Sequence, residues 1–202
     1  MRRRNGRPRL GVDVTAFVGA LYILTFREYG RILLIITAVA VHELGHLMAA
    51  YALRIKISSI RFSLTGARIE TDGCFSYKKE ILLCLAGPLF NIIVCLLSLP
   101  FCRIEGLSGC AEELCRICLM LAAFNLLPIR GFDGGRILFS LIAIFFGINA
   151  AEAVITATGC TLISSLWVIS VYMLIRFESA LSLFVFSVIL FLTTVMRSGL
   201  QQ

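Results

Sequence analysis

The chain has 202 residues, 59% of them hydrophobic and 15% charged, and its mean hydropathy is +0.93. That balance excludes a single soluble domain and points to an all-α polytopic membrane protein. The net charge of +7 does not call for nucleic acid, because membrane topology accounts for it.

Apolar runs read against a window of about 20 residues predict spans near 11–26, 31–53, 80–101, 112–127, 150–175 and 179–196, about six crossings. The first run follows Met1-Arg2-Arg3-Arg4. A secretory signal peptide fits it poorly, since Asp13 interrupts the apolar region and no small-x-small cleavage site follows. A retained first helix is expected instead.

The second run, from Ile32 to Leu53, carries His42-Glu43-Leu44-Gly45-His46, and these are the only two histidines of the chain. On a helix, residues four apart share a face. Both imidazoles can then reach one zinc ion, while Glu43, one step round, addresses an attacking water. The same pentapeptide arises by chance in soluble helices. Here, however, each ionisable group at the centre of a membrane helix costs on the order of 2.5–3.5 kcal/mol, and a metal is the natural partner that offsets it.

After the second span, Arg54–Ser63 and Ala67–Thr71 alternate apolar and polar residues around Thr65-Gly66, which predicts a short β-hairpin. Its free edge can hold an extended substrate by strand addition; it can equally be a plain hairpin lying on the membrane. In the third span, Gly87 with Pro88 marks close helix packing, and Asn91 is read either as part of that contact or as a substrate contact.

Zinc held by two histidines needs a third protein ligand and keeps its fourth position open. Few acids lie at membrane depth. Asp133, in the segment from Asn125 to Gly135, is the preferred candidate, with Glu152 a distant second. Pro128 and Gly131 predict a broken helix there, and Gly134-Gly135 a tight turn beside the aspartate. Irregular backbone at that depth is tolerated only where protein buries it or water reaches it. Asp133 also suits the cap of a helix over 134–147. Asn125 either bonds a neighbouring helix or touches the substrate or a developing oxyanion. The cysteines at 84, 95, 115, 118 and 160 are expected to be reduced thiols in or beside membrane helices, and Cys115-x-x-Cys118 lacks the second pair that a metal motif needs.

With the amino terminus in the cytoplasm, segments 1–10, 54–79, 128–136 and 197–202 fall on that side and hold 14 of the 19 Lys and Arg residues. This is the asymmetry of the positive-inside rule, reinforced by anionic headgroups. It places both termini in the cytoplasm.

His42-Glu43-Leu44-Gly45-His46 together with Asn125-x-x-Pro128-x-x-x-x-Asp133-Gly134 resembles the paired signature of the site-2 protease family of intramembrane zinc metalloproteases, and Gly87-Pro88-Leu89-Phe90-Asn91 resembles a third element of that family. The compact layout resembles the branch containing the stage IV sporulation protease that processes pro-sigma-K. The resemblance implies one Zn²⁺ per chain held by His42, His46 and Asp133, with Glu43 as catalytic base and Asn125 and Asn91 as substrate contacts. It implies a catalytic core over about 30–147 within a single membrane domain, 1–202, without a soluble regulatory domain. It further implies a membrane-tethered protein substrate in a bacterial cell membrane and an inhibitory membrane partner.

Two readings from other classes compete with it. Secondary transporters also use broken helices and intramembrane acids, but their internal repeat is missing here. A non-proteolytic zinc scaffold would have no use for Glu43, which is not a ligand.

Overall fold

The computed structural model describes residues 9–12, 29–55, 57–63, 66–71, 76–176 and 188. A strand β1 (Arg9–Val12) precedes the long helix α1 (Tyr29–Ala52), followed by β2 (Ile57–Ser63), β3 (Gly66–Thr71) and α2 (Tyr77–Ser98). A 3-10 turn (Leu99–Arg103) leads into α3 (Ser108–Asn125), then α4 (Asp133–Phe146) and α5 (Ile148–Arg176).

Among the described residues, three helical stretches are long and apolar enough to cross a membrane: Gly30–Ala52, Tyr77–Arg103 and Ile148–Arg176. The spans expected near 11–26 and 179–196 lie outside the described residues, apart from Gly11 and Val12, which belong to β1 rather than to a helix, and Val188, which is helical. The run at 112–127 forms α3, an 18-residue helix that includes Glu112, Glu113 and Arg116. Helix α4, with 14 residues, is roughly 21 Å long at 1.5 Å per residue, shorter than a hydrocarbon core of about 30 Å. Large apolar side chains such as Leu33, Leu97, Phe145 and Ile175 face outward, as a lipid-facing surface requires.

Strands β2 and β3 pair antiparallel, from Ile57 opposite Thr71 to Ser63 opposite Gly66. β1 adds a parallel strand on the other side of β2, Arg9 lying opposite Ser59. The outer side of β3 is therefore an edge of this sheet, and β3 also touches α1.

Helix α2 sits centrally, packing against α1, α3 and α4. Ser76 caps its start, its hydroxyl accepting from the Lys78 N–H, and Glu80 in the first turn faces the positive end of the helix dipole. Ala38, Cys95 and Cys118 form a buried cluster between α1, α2 and α3. Cys95 and Cys115, expected as reduced thiols, are instead joined by a disulfide: the packing of α2 on α3 turns the two side chains toward each other.

The helix break falls in the expected segment, between Asn125 at the end of α3 and Asp133 at the start of α4. Gly131 takes φ +107, a conformation that L side chains rarely adopt. Helix α5 holds the connecting segment from outside. Arg130 pairs with Glu152 and lies 3.3 Å from the Thr156 hydroxyl, Thr158 donates to the Pro128 carbonyl at 3.3 Å, and Ile129 is buried against Ile163. Glu152, the second candidate ligand, is thus occupied with Arg130.

Candidate metal centre

His42 and His46 lie on one face of α1, their rings edge to face at 4.7 Å between centroids. Both are buried. Their Nε2 atoms are 3.1 Å apart, and each is 3.2 Å from Oδ2 of Asp133. Three candidate ligands from two helices, distant in sequence, thus meet at one point.

Helix α2 forms the backing of this site with a stripe one turn apart. The Leu83 carbonyl lies 2.8 Å from His46 Nδ1. Gly87 comes next, where a Cβ would lie 2.5 Å from His46 Nε2 and 2.8 Å from His42 Cε1. Then comes Asn91, whose amide Nδ2 is 3.3 Å from His42 Nδ1. Gly45 serves the same approach from the α1 side, since a Cβ there would meet the Ala86 carbonyl oxygen at 2.7 Å. The glycine read as a helix-packing residue therefore has a more specific duty: it lets the α2 backbone approach the imidazole rings.

Asp133 stands in the first turn of α4 rather than at its cap, which is Phe132 and makes no side-chain capping bond. The dipole of α4 still favours a carboxylate there. Gly134 and Gly135 are helical and do not form the turn expected of them. A Cβ on either would collide with the backbone of Leu126 or Ile129, so their role is to seat α4 against the connecting segment. Arg136 and Ser140 reach Glu80 on α2, both at 3.2 Å, tying α4 to the helix that backs the histidines.

The remaining candidates are placed less directly. Glu43 is half-buried beside His42. Asn125 ends α3, its Nδ2 donating to the Leu121 carbonyl at 3.0 Å, which occupies one of its two amide hydrogens. Asn91 is fully buried and turned toward His42. The Leu83 carbonyl carried no sequence signal, being a backbone group.

These residues fit a zinc ion. A carbonyl only accepts, so Leu83 fixes the proton of His46 on Nδ1 and leaves a lone pair on Nε2 in the neutral ring. That lone pair faces His42 Nε2 and Asp133 Oδ2, a buried oxygen without a hydrogen-bond partner among the described residues. Donor atoms so arranged repel one another unless a cation lies among them. Tetrahedral zinc with bonds of about 2.0–2.1 Å places neighbouring donors roughly 3.3 Å apart, close to the 3.1–3.2 Å separations here.

Comparison with known proteins agrees with this chemistry. Residues 30–112 match the profile of Peptidase family M50, a stretch that holds the histidines, Glu43 and the Gly87–Asn91 element; Asp133 lies beyond it and is supplied by the fold. The chain is 33% identical over 122 residues to sll0528 of Synechocystis sp., a zinc metalloprotease by name, covering 54% of this chain and 30% of that protein. It is 29% identical over 119 residues to the zinc metalloprotease MJ0392 of Methanocaldococcus jannaschii, covering 57% and 35%. The chain thus spans about a third of the length of these curated relatives. In fold it is similar to the site-2 protease from Methanocaldococcus jannaschii, with a TM-score of 0.67, 22% identity, and 93% of this chain and 89% of that one covered. On the profile match and the relatives, residues 30–112 resemble peptidase family M50, and the fold is that of a site-2 protease.

Proposed function

We propose that this chain is an intramembrane zinc metalloendopeptidase that hydrolyses a peptide bond in or near a membrane segment of a protein substrate. The observation that carries the reading is the meeting of His42, His46 and Asp133 at 3.1–3.2 Å within apolar helices. When bound, the ion supplies Lewis acidity toward a peptide carbonyl and acidifies a water. Glu43 accepts the proton of the attacking water and returns it to the leaving amine. The second amide hydrogen of Asn125 is free of the Leu121 bond and serves as a donor to the substrate carbonyl. The catalytic residues fall within 30–147 of a single membrane domain.

The same reading gives six crossings with both termini in the cytoplasm of a bacterial cell, supported by the distribution of Lys and Arg. His46 lies under two turns from the end of α1 at Ala52, roughly 9 Å at 1.5 Å per residue. Cleavage then occurs near the cytoplasmic face, on a membrane-tethered protein such as a sporulation sigma-factor precursor, under control of an inhibitory membrane partner.

Zinc per purified chain tests the site without a substrate. In detergent, wild type is expected to hold about one zinc per chain, and His46→Ala and Asp133→Ala to lose it, because each removes one of the three ligands found among the described residues. Well-folded wild type without zinc, or an Asp133→Ala variant that keeps it tightly, refutes the three-ligand site.

A membrane-spanning substrate is helical and must unwind before attack. The outer side of β3, next to α1, offers a strand edge on which the unwound segment pairs. Proline placed at alternate positions, Ala67 and Ile69 or Arg68 and Glu70, removes outward N–H groups in one set only. That set is expected to slow cleavage while zinc content stays unchanged; equal cleavage in both sets removes strand addition.

A further inference from the structure

The two imidazoles are held differently, and the difference falls on Asn91. His46 Nδ1 faces a carbonyl, which accepts and nothing more. His42 Nδ1 faces an amide, which presents a donor or, after half a turn about its last bond, an acceptor. Asn91 has no exposed surface, and its Oδ1 is buried without a hydrogen-bond partner among the described residues. The half turn exchanges the amide nitrogen and oxygen, so either can meet His42 Nδ1.

A cation among the three donors needs a bare Nε2. With Oδ1 toward Nδ1 as acceptor, Asn91 holds the proton of the neutral ring on Nδ1 and leaves Nε2 bare. Metal-ligating histidines are commonly oriented by such an acceptor behind the ring. We infer that Asn91 is the positioning residue of His42, setting which ring nitrogen carries the proton. This rests on the metal reading above.

The chain has only two histidines, so labelling with 15N-histidine reports these two rings alone. In the full chain in detergent, His46 is expected to be protonated at Nδ1 throughout. His42 is expected to be protonated at Nδ1 with saturating zinc. Asn91→Leu, similar in size, is expected to weaken zinc binding about 10–100-fold against a competing chelator, with the His46 signals unmoved. Asn91→Asp, whose carboxylate also accepts from Nδ1, is expected to bind the ion more tightly than Asn91→Leu. A packing role alone predicts the opposite order, since leucine fills the space and a buried carboxylate does not suit it. Zinc-loaded wild type with His42 unprotonated at Nδ1, or Asn91→Leu binding zinc as wild type does, overturns the assignment while leaving the metal site standing. Wild type that takes up no zinc overturns the metal reading itself and the assignment with it. Should both variants fail to fold, the wild-type spectra alone decide.

Discussion

Replacing Glu43 with Gln is expected to lower peptide cleavage by about 10²–10⁴-fold, the range for loss of a general acid–base group, while zinc stays at the wild-type level. The two readouts separate because Glu43 and the ligands occupy different faces of the same turn. His42 and His46 point together into the bundle against α2, whereas Glu43, half-buried, stands one step round from them. Glutamine keeps the size and much of the hydrogen bonding of glutamate but cannot accept a proton from water. Cleavage of single-span test proteins in detergent, measured beside zinc per chain, checks this. A variant that cleaves as wild type does removes Glu43 from the chemistry, and one that loses its zinc makes Glu43 a ligand. A zinc scaffold that cleaves nothing would be indifferent to the change. The same variant, inactive but loaded, is suited to trapping a substrate.

The parts of the site that could be read from the sequence are those whose chemistry is local. His42 and His46 are four apart, and helical periodicity alone puts them on one face. Asp133 stood out because acids are scarce at membrane depth and Pro128 and Gly131 announced a break. What the sequence hid depends on how helices lie against one another. Leu83 acts through its carbonyl, which every residue has. Gly87 signalled a close approach but could not say that imidazole rings make it. Asn91 allowed both a packing and a substrate reading, and its contact with His42 shows only once α2 lies against α1. Cys95 and Cys115 lie on different helices, so their pairing depends on the rotation of α2 against α3. Strand β1 has only four residues, too few for a periodic signal, and it pairs with a partner beyond α1. Gly134 and Gly135 were assigned a turn because glycine is commonest there, yet they are helical and give up their side chains to seat α4 on the segment before it.

Gly87→Ala is expected to cost most of the zinc affinity, although it adds a single methyl group to a helix that would otherwise favour it. The added Cβ would lie 2.5 Å from His46 Nε2, 2.7 Å from His46 Cε1 and 2.8 Å from His42 Cε1, distances that carbon atoms do not tolerate. Relief requires the rings or the helix to move. The rings resist, because His46 Nδ1 is held by the Leu83 carbonyl and His42 Nδ1 by the Asn91 amide. The helix resists as well, because α2 is packed by α1, α3 and α4 together. Overpacking of a tight site costs about 1–3 kcal/mol, or roughly 5–150-fold in an equilibrium constant, and the clash falls on the ligand atoms themselves. Gly159→Ala in α5 is the control, since a Cβ there meets nothing within 4 Å among the described residues and helix propensity favours alanine by about 1 kcal/mol. Zinc affinity by chelator competition, read beside thermal unfolding, separates the outcomes. The Gly159 variant should be at least as stable as wild type and bind zinc normally, and the Gly87 variant should stay helical while binding it poorly. A Gly87→Ala protein with undiminished zinc affinity would mean that α2 can withdraw from the histidines without disturbing them, and the carbonyl, glycine and amide stripe would then no longer account for how the two rings are held.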